Sequence, residues 1–329
     1  MGLDGLDIYQ DRLSVSFDND SGAAHHIRAR RWLMSLYRRI LLVMTRVEAH
    51  AALRRAMALA QASGASLHVL GIHTPAERGL PDQGQKASQP SAAFGHFSTG
   101  LKALLDEQAP TGMHATFEAV ETATARDLIP ACIARFAPDL VIKGCSASPV
   151  LGLVDKSSIE HVLLHTCQAP LQFVPADAPT MPANILVAVD VARAELAQKT
   201  LNHALVEAAR QLASACNGQV HLLSVYDLPI PMLANPDLAA PWVEQVRESL
   251  QVPFDELADI HGIPYAQRYF IEGAPLRIIQ SLVATLKMDV VVVGVVQPRR
   301  WAKLIGDTTE RLVNHAPCSI LAVRCAPAD

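Results

Sequence analysis

The sequence lacks the long apolar run and the charge imbalance that would mark a membrane protein or a nucleic-acid binder. Its longest apolar run, 290–296, is interrupted by a glycine and falls well short of the roughly 18 residues of a membrane span. The formal net charge is −4 and 18% of the residues are charged, which leaves no basic excess for nucleic acid. We therefore expect no membrane span and no nucleic-acid partner.

Cysteine is scarce: the chain has six in 329 residues, and no two of them have the C-x-x-C spacing of a metal or redox motif. A chain of this size needs no disulfides for stability, so reduced thiols and a cytoplasmic location are expected. The N-terminus lacks a basic start followed by an apolar core, so no signal peptide is expected. The 50% hydrophobic content is sufficient for a well-filled core.

Short apolar segments occur twice along the chain, in the same order. The matched pairs are 40–45 (ILLVMT) with 185–190 (ILVAVD), 66–71 (SLHVLG) with 219–224 (QVHLLS), and 138–144 (PDLVIKG) with 288–294 (MDVVVVG). Such repetition indicates two copies of one domain, over 34–178 and 179–329, joined by the proline-rich linker 175–182. Residues 1–33 are polar and belong to neither copy. We expect them to form a mobile tail, with Met34 as a hypothetical natural start.

Short β-branched runs alternate with amphipathic helical patterns in each copy. The predicted strands are 39–44, 66–72, 114–120, 139–143 and 170–174 in the first copy, and 184–189, 219–225, 265–270, 289–293 and 318–323 in the second. Nearly continuous apolar strands are typical of parallel sheets buried on both faces. The fold class predicted is α/β, with two tandem, doubly wound, five-stranded parallel sheets.

The carboxyl ends of parallel strands are where open α/β sheets bind ligands. In the second copy these ends carry Asp190, Val225 and the pair Val293–Gly294. A loop with Arg299, Arg300 and Lys303 then returns to Gly306, Asp307 and Thr308, at a predicted helix start. Free amides at a helix start favour an anion, so a nucleotide phosphate fits this pattern. The alternative is structural: Gly294 only ends a strand, and Asp307 or Thr308 caps the helix.

The segments ILVAVD, QVHLLSVYD, MDVVVVG and GDTTERLVNHAPCSILAV resemble the universal stress protein (UspA) superfamily, and the doubling resembles its tandem, UspE-like members. The resemblance covers about 34–325. It implies strand order 3-2-1-4-5 in each half, and halves paired through strands 170–174 and 318–323 as an intramolecular pseudo-dimer. It also implies a stress-response protein with protein partners that the sequence does not identify. Because the sequence shows no nucleophile elbow, no complete Walker loop and no evident catalytic carboxylate pair, we expect it to bind a small molecule without catalysis.

Nucleotide-binding members of that superfamily carry glycine, two residues, glycine, nine residues, then glycine with serine or threonine. Gly294 matches the first glycine, Gln297 replaces the second, eight residues precede Gly306, and Asp307 replaces the hydroxyl residue. The family's aspartate matches Asp190, and the backbone at Val225 would face adenine. The resemblance thus implies possible ATP binding in the second half, with no cofactor required. It implies none in the first half, where Thr45 and Lys156 replace the matching residues and the crevice is either closed or holds an apolar ligand.

Two other functions stay open at this point: a carrier of an apolar or lipid-like ligand, and a weak ATPase or adenylyl transferase. His161 and His165 have metal-ligand spacing on a predicted helix, but no third ligand is evident, so no metal is expected. Cys145 follows Gly144 at the first crevice and is expected to be unreactive. Cys132 and Cys216 are expected to pack within helices.

Overall fold

The computed structural model describes residues 37–48, 50–74, 91–110, 112–122, 125–145, 159–227, 236–295 and 318–324, with only the backbone of 125–127 and 236–241. Leu36–Asp329 forms one compact unit. The predicted tail 1–33 and the start at Met34 lie outside the described residues. Within the described helices, none combines the length and apolar character needed to cross a bilayer.

Strands and helices alternate through the first half. The strands are β1 (Arg39–Met44), β2 (Ser66–His73), β3 (Ala115–Glu121), β4 (Leu140–Gly144) and β5 (Leu171–Val174). The helices are α1 (Ala51–Ser63), α2 (Ala92–Gln108), α3 (Ala125–Phe136) and α4 (Ile159–Thr166). All five predicted strands are therefore present, each within one residue of its predicted bounds.

The second half repeats this order. Its strands are β6 (Asn184–Val189), β7 (Gln219–Tyr226), β8 (Arg268–Glu272), β9 (Val290–Gly294) and β10 (Ser319–Val323). Its helices are α5 (Leu196–Cys216), α6 (Pro236–Ile260) and α7 (Pro275–Leu286). The prediction of 265–270 for β8 was wrong by several residues. A 3-10 turn at Tyr265–Gln267 follows Pro264 and delays the strand.

The ten strands form one sheet in the order β3-β2-β1-β4-β5-β10-β9-β6-β7-β8. The prediction of two separate sheets was wrong, although each half keeps the order 3-2-1-4-5. The halves join because β5 and β10, which would otherwise leave unpaired backbone at an edge, pair antiparallel with Leu321 opposite Gln172. The other strand pairs are parallel. The strands of the first half therefore run opposite to those of the second half, and their carboxyl ends lie on opposite sides of the sheet.

Both faces of the sheet are covered, which explains the nearly continuous apolar strands. Side chains of α1, α2, α5 and α6 pack in one core, with strand residues such as Leu42 and Val187. Side chains of α3, α4 and α7 pack in the other core, with alternate strand residues such as Leu41 and Leu186. The result is three layers, helix–sheet–helix, continuous through both halves.

The aspartate that precedes the fourth strand of each half has a structural role. Asp139 Oδ2 accepts hydrogen bonds from the backbone amides of Arg38 at 2.6 Å and Arg39 at 2.9 Å. Asp289 Oδ2 does the same for Ala183 at 2.7 Å and Asn184 at 2.9 Å. The repeated aspartates in PDLVIKG and MDVVVVG therefore fix the start of the central strand in each half.

A buried arginine connects the halves. Arg55 on α1 is 0% exposed and donates from Nη1 to Ser319 Oγ on β10 at 2.7 Å and from Nη2 to the Pro179 carbonyl in the linker. Burial lowers the pKa of its guanidinium to about 10, so the group stays charged at neutral pH. A first-half helix is thus held to the last strand of the second half.

Candidate ligand-binding site

A cavity of about 270 Å³ opens at the carboxyl ends of β6, β7 and β9. It brings together the four predicted site residues that the structure describes: Asp190, Val225, Val293 and Gly294. Its apolar walls also include Ala188, Leu201, Leu205, Leu223 and Ile279. A mainly apolar cavity with a few polar groups at its rim is the usual form of a small-molecule site.

The backbone of Asp190 is held at the rim by hydrogen bonds to the side chain of Asn202. Its amide donates to Asn202 Oδ1 at 3.3 Å, and its carbonyl accepts from Asn202 Nδ2 at 2.7 Å. Gln198 Nε2, one turn earlier on α5, donates to the same Asn202 Oδ1 at 3.0 Å. Because Asn202 is buried, this network fixes where the Asp190 side chain leaves the strand.

Among the described residues, the Asp190 carboxylate has two partners, both from the turn after β6. Oδ1 accepts from the Ala192 amide at 3.1 Å, and Oδ2 lies 3.2 Å from Arg193 Nε. Both charged side chains are substantially exposed, 43% for Asp190 and 60% for Arg193. Exposed ion pairs are weak, so a ligand that binds the carboxylate can displace the guanidinium at little cost.

Gly294 has a packing role besides any ligand role. A Cβ built on it would lie 2.8 Å from Leu201 Cδ2, closer than real Cβ contacts allow. Leu201 sits on α5 and lines the cavity, so the absence of a Cβ at Gly294 determines how close this helix comes to the strand end. This supports the structural interpretation of Gly294 without removing the functional one.

The predicted phosphate end of the site, Gln297, Gly306, Asp307 and Thr308, lies outside the described residues, as do Arg299, Arg300 and Lys303. Two polar residues that line the cavity were missed from the sequence: Arg193 and Gln198. Arg193 follows Asp190 by three residues, which is the only sequence signal that could have drawn attention to it.

The first half has larger side chains at the matching strand ends. The register is shared, with Ile40 beside Leu140 in the first half and Ile185 beside Val290 in the second. The matching residues are Val43 for Ala188, Met44 for Val189, Ile72 for Val225 and Lys143 for Val293. All four first-half side chains are at most 5% exposed, so larger, buried side chains stand at the strand ends where the second half has its cavity.

Lys143 is the most unusual of these first-half residues, because a charged side chain stands where the second half has Val293. Its ammonium donates to the Gly144 carbonyl at 2.6 Å and lies 3.1 Å from Glu160 Oε1 on α4. Burial raises the pKa of the neighbouring Cys145 thiol to about 12, which disfavours the thiolate that a reactive cysteine needs. Lys156, the residue predicted to stand in the first-half loop, lies outside the described residues.

The two histidines with metal-ligand spacing lie on α4. The ring centroids of His161 and His165 are 4.0 Å apart. Both helical cysteines pack as predicted. Cys132 is 4% exposed within α3, and Cys216, the last residue of α5, is partly buried and packs against the core.

Comparison with known proteins identifies the fold. The model of the universal stress protein family matches residues 36–171 and 181–324. The chain belongs to the universal stress protein family. It carries two domains of this family in tandem, the arrangement that makes it UspE-like.

Curated relatives support this assignment. The chain is 24% identical over 195 residues to universal stress protein E of Photorhabdus laumondii, and 27% identical over 191 residues to that of Escherichia coli K12. Each match covers 56% of this chain. The chain spans only 61% and 60% of the length of these relatives, respectively.

Solved structures show the same fold over most of the chain. A functionally unknown protein from Pseudomonas aeruginosa PAO1 matches with a TM-score of 0.68 at 20% identity, covering 90% of this chain and 94% of that one. A universal stress protein from Archaeoglobus fulgidus matches with a TM-score of 0.55 at 15% identity, covering 88% and 97%.

Proposed function

We propose that this protein binds an adenine nucleoside or nucleotide in the cavity of its second half and serves the stress response by binding, not by turnover. The observation that carries the proposal is the cavity of about 270 Å³ at the carboxyl ends of β6, β7 and β9. That edge is where open parallel sheets hold their ligands. The proposed domains are 34–178 and 179–329, acting as an intramolecular pseudo-dimer in the cytoplasm.

The size of the cavity favours a nucleoside over a complete triphosphate inside it. Ligand pockets usually measure about 300–1,000 Å³, and this one lies near the lower limit. A flat, largely apolar base fits between Leu201 on one side and Ile279 on the other. In this proposal the phosphates of a nucleotide extend past Gly294, and the residues that the sequence predicts to bind them are Gln297, Gly306, Asp307 and Thr308.

The rim supplies polar groups for the sugar. In this proposal, ribose hydroxyls donate to the Asp190 carboxylate, and the backbone at Val225 binds the base. A hydroxyl that binds Oδ2 takes the place of Arg193, whose Nε lies 3.2 Å from that oxygen. The released guanidinium is then free to bind the first phosphate, because it is already exposed at the mouth of the cavity.

Calorimetric titration of the full chain with adenosine, AMP and ATP tests the proposal. We expect one equivalent to bind, and Asp190→Asn to weaken binding roughly tenfold or more, as for a lost hydrogen bond to a charged group. Asp177→Asn is the control, because Asp177 is an exposed carboxylate in the linker. If none of the three compounds binds, or if both variants behave alike, the proposal is wrong.

The two alternatives predict different results. Native mass spectrometry of the purified full chain that shows a lipid mass, with no nucleotide, would support an apolar carrier. Release of phosphate or pyrophosphate from ATP that Asp190→Asn abolishes would support an ATPase or adenylyl transferase. Each outcome contradicts the proposed function.

A further inference from the structure

Three side chains of the kind that bind metals meet in the first half, on β2, β3 and α3. They are His68, Glu118 and Cys132, and their nitrogen, oxygen and sulfur atoms all lie within 4.8 Å of one another. None of the three lines the cavity of the second half. No sequence motif indicates this cluster, because the three residues are 50 and 14 positions apart.

The histidine has one ring nitrogen available for a ligand. His68 Nδ1 lies 2.7 Å from Thr116 Oγ1, and donation to that hydroxyl leaves Nε2 with a free lone pair. Within the described part of the chain, Nε2 is buried and makes no hydrogen bond. Its nearest carboxylate oxygen, Glu118 Oε2, is 3.7 Å away, too far for a hydrogen bond but close for two ligands of one ion.

The other two side chains share a displaceable partner. Arg135, one turn after Cys132 on α3, pairs with Glu118 and also contacts the Cys132 thiol. Its side chain is 63% exposed, so the guanidinium can move into solvent. A cation that takes its place keeps the Glu118 charge balanced.

The second half shows that the fold itself does not require these residues. The register places His221 at the position of His68, and Tyr269 at that of Glu118. By the same repeat, Leu282 on α7 stands where Cys132 stands on α3. The histidine is therefore common to both halves, while the carboxylate and the thiol are present only in the first.

We propose that His68 Nε2, Glu118 and Cys132 Sγ form a binding site for a divalent cation of the zinc class. Imidazole, carboxylate and thiolate together suit Zn²⁺, and three protein ligands leave a fourth position for water. The thiol must lose its proton to solvent when the metal binds, so binding is weaker at low pH. The bound ion would tie α3 to the two outer strands of the first half.

The test uses the full chain, stripped of metal with a chelator and titrated with Zn²⁺ against a chromophoric competitor. A parallel titration with Co²⁺ reports thiolate ligation through its near-ultraviolet charge-transfer absorption. We expect one equivalent with that absorption. We expect His68→Gln and Cys132→Ser each to weaken Zn²⁺ binding at least tenfold, and the matched variants His221→Gln and Cys167→Ser to leave it unchanged.

Arg135→Gln provides an independent measurement, since a merely structural cluster would not respond in the same direction. Removing the competing guanidinium should tighten Zn²⁺ binding several-fold. If Cys132→Ser does not fold, Glu118→Gln replaces it, with the same expected loss of affinity. The proposal is overturned if Co²⁺ gives no thiolate absorption, or if Zn²⁺ affinity is the same in the wild type and in the His68 and Glu118 variants.

Discussion

The two halves share strand order and register but differ at the strand ends. In the second half, Ala188 and Val293 leave a cavity of about 270 Å³, whereas the first half has Val43 and Lys143 at the matching positions. Strand order and register are common to both halves, so the side chains at the strand ends are what distinguishes the two halves there. A repeated fold therefore allows its two copies to differ at the strand ends, where ligands bind in open parallel sheets.

The largest expected effect concerns the junction between the halves. Arg55→Ala should lower the free energy of unfolding by about 3 kcal/mol, because it leaves Ser319 and the Pro179 carbonyl unpaired and opens a hole in the core. Urea denaturation followed by circular dichroism measures the loss. Arg54→Ala, at the exposed neighbouring position, is the control and should cost less than about 0.5 kcal/mol. Equal losses would show that Arg55 has no special role.

Exchanging the residues that distinguish the two strand ends is the next test. Val293→Lys should abolish adenosine binding, or weaken it more than tenfold, because the longer side chain fills the cavity. It should also cost about 2 kcal/mol of stability for the partly buried charge. Titration calorimetry and urea denaturation give the two values. Unchanged binding would mean that the cavity is not the ligand site.

The reciprocal exchange, Lys143→Val, should have a smaller effect. It removes the partner of Glu160, whose side chain is 36% exposed and can be hydrated, so we expect a loss of about 1 kcal/mol or less. Adenosine affinity in the second half should stay the same. A change in that affinity would show that the first-half strand ends influence the cavity of the second half.

The two glycines that end β4 and β9 offer a finer comparison. A Cβ at Gly294 meets Leu201 Cδ2 at 2.8 Å, whereas one at Gly144 meets His50 Cε1 at 3.3 Å. Gly294→Ala should therefore cost about 1–2 kcal/mol and weaken ligand binding, while Gly144→Ala should cost less. Thermal unfolding of the two variants side by side measures the difference. The reverse order would contradict the packing role of Gly294.

The smallest expected effect is a pH dependence shared by the matched histidines. Burial lowers the pKa of His68 and of His221 in the folded protein. Below a pH of about 6.5 the unfolded chain therefore binds more protons than the folded one, and stability falls as the pH falls. His221→Gln should reduce this dependence between pH 7 and pH 5 in urea denaturation. An unchanged slope would show that His221 does not contribute.

The strands were predictable because parallel strands buried on both faces are short, continuous apolar runs. β8 was misplaced because Arg268–Glu272 is only partly buried and its start depends on the turn after Pro264. The pairing of β5 with β10 into one sheet could not be obtained from strand composition, since an edge strand and a paired strand have similar sequences. The family resemblance implied that the halves pair through these two strands, but the continuous ten-stranded sheet was not predicted.

The site was predictable to the extent that it follows strand ends. Asp190, Val225, Val293 and Gly294 come together because each ends or follows a parallel strand. Arg193 reaches the cavity from a turn and Gln198 from a helix. Their positions in the sequence do not indicate that their side chains point toward the cavity. The cluster of His68, Glu118 and Cys132 depends on contacts between distant elements, which no local pattern records.

The antiparallel pair of β5 and β10 has a consequence for how the molecule communicates. Because it reverses the second half relative to the first, the two strand-end edges face away from each other. A nucleoside held at one edge and a protein docked at the other would touch the same chain from opposite sides without competing. Any influence of one on the other would have to cross the junction between the halves, where Arg55 on α1 donates to Ser319 on β10.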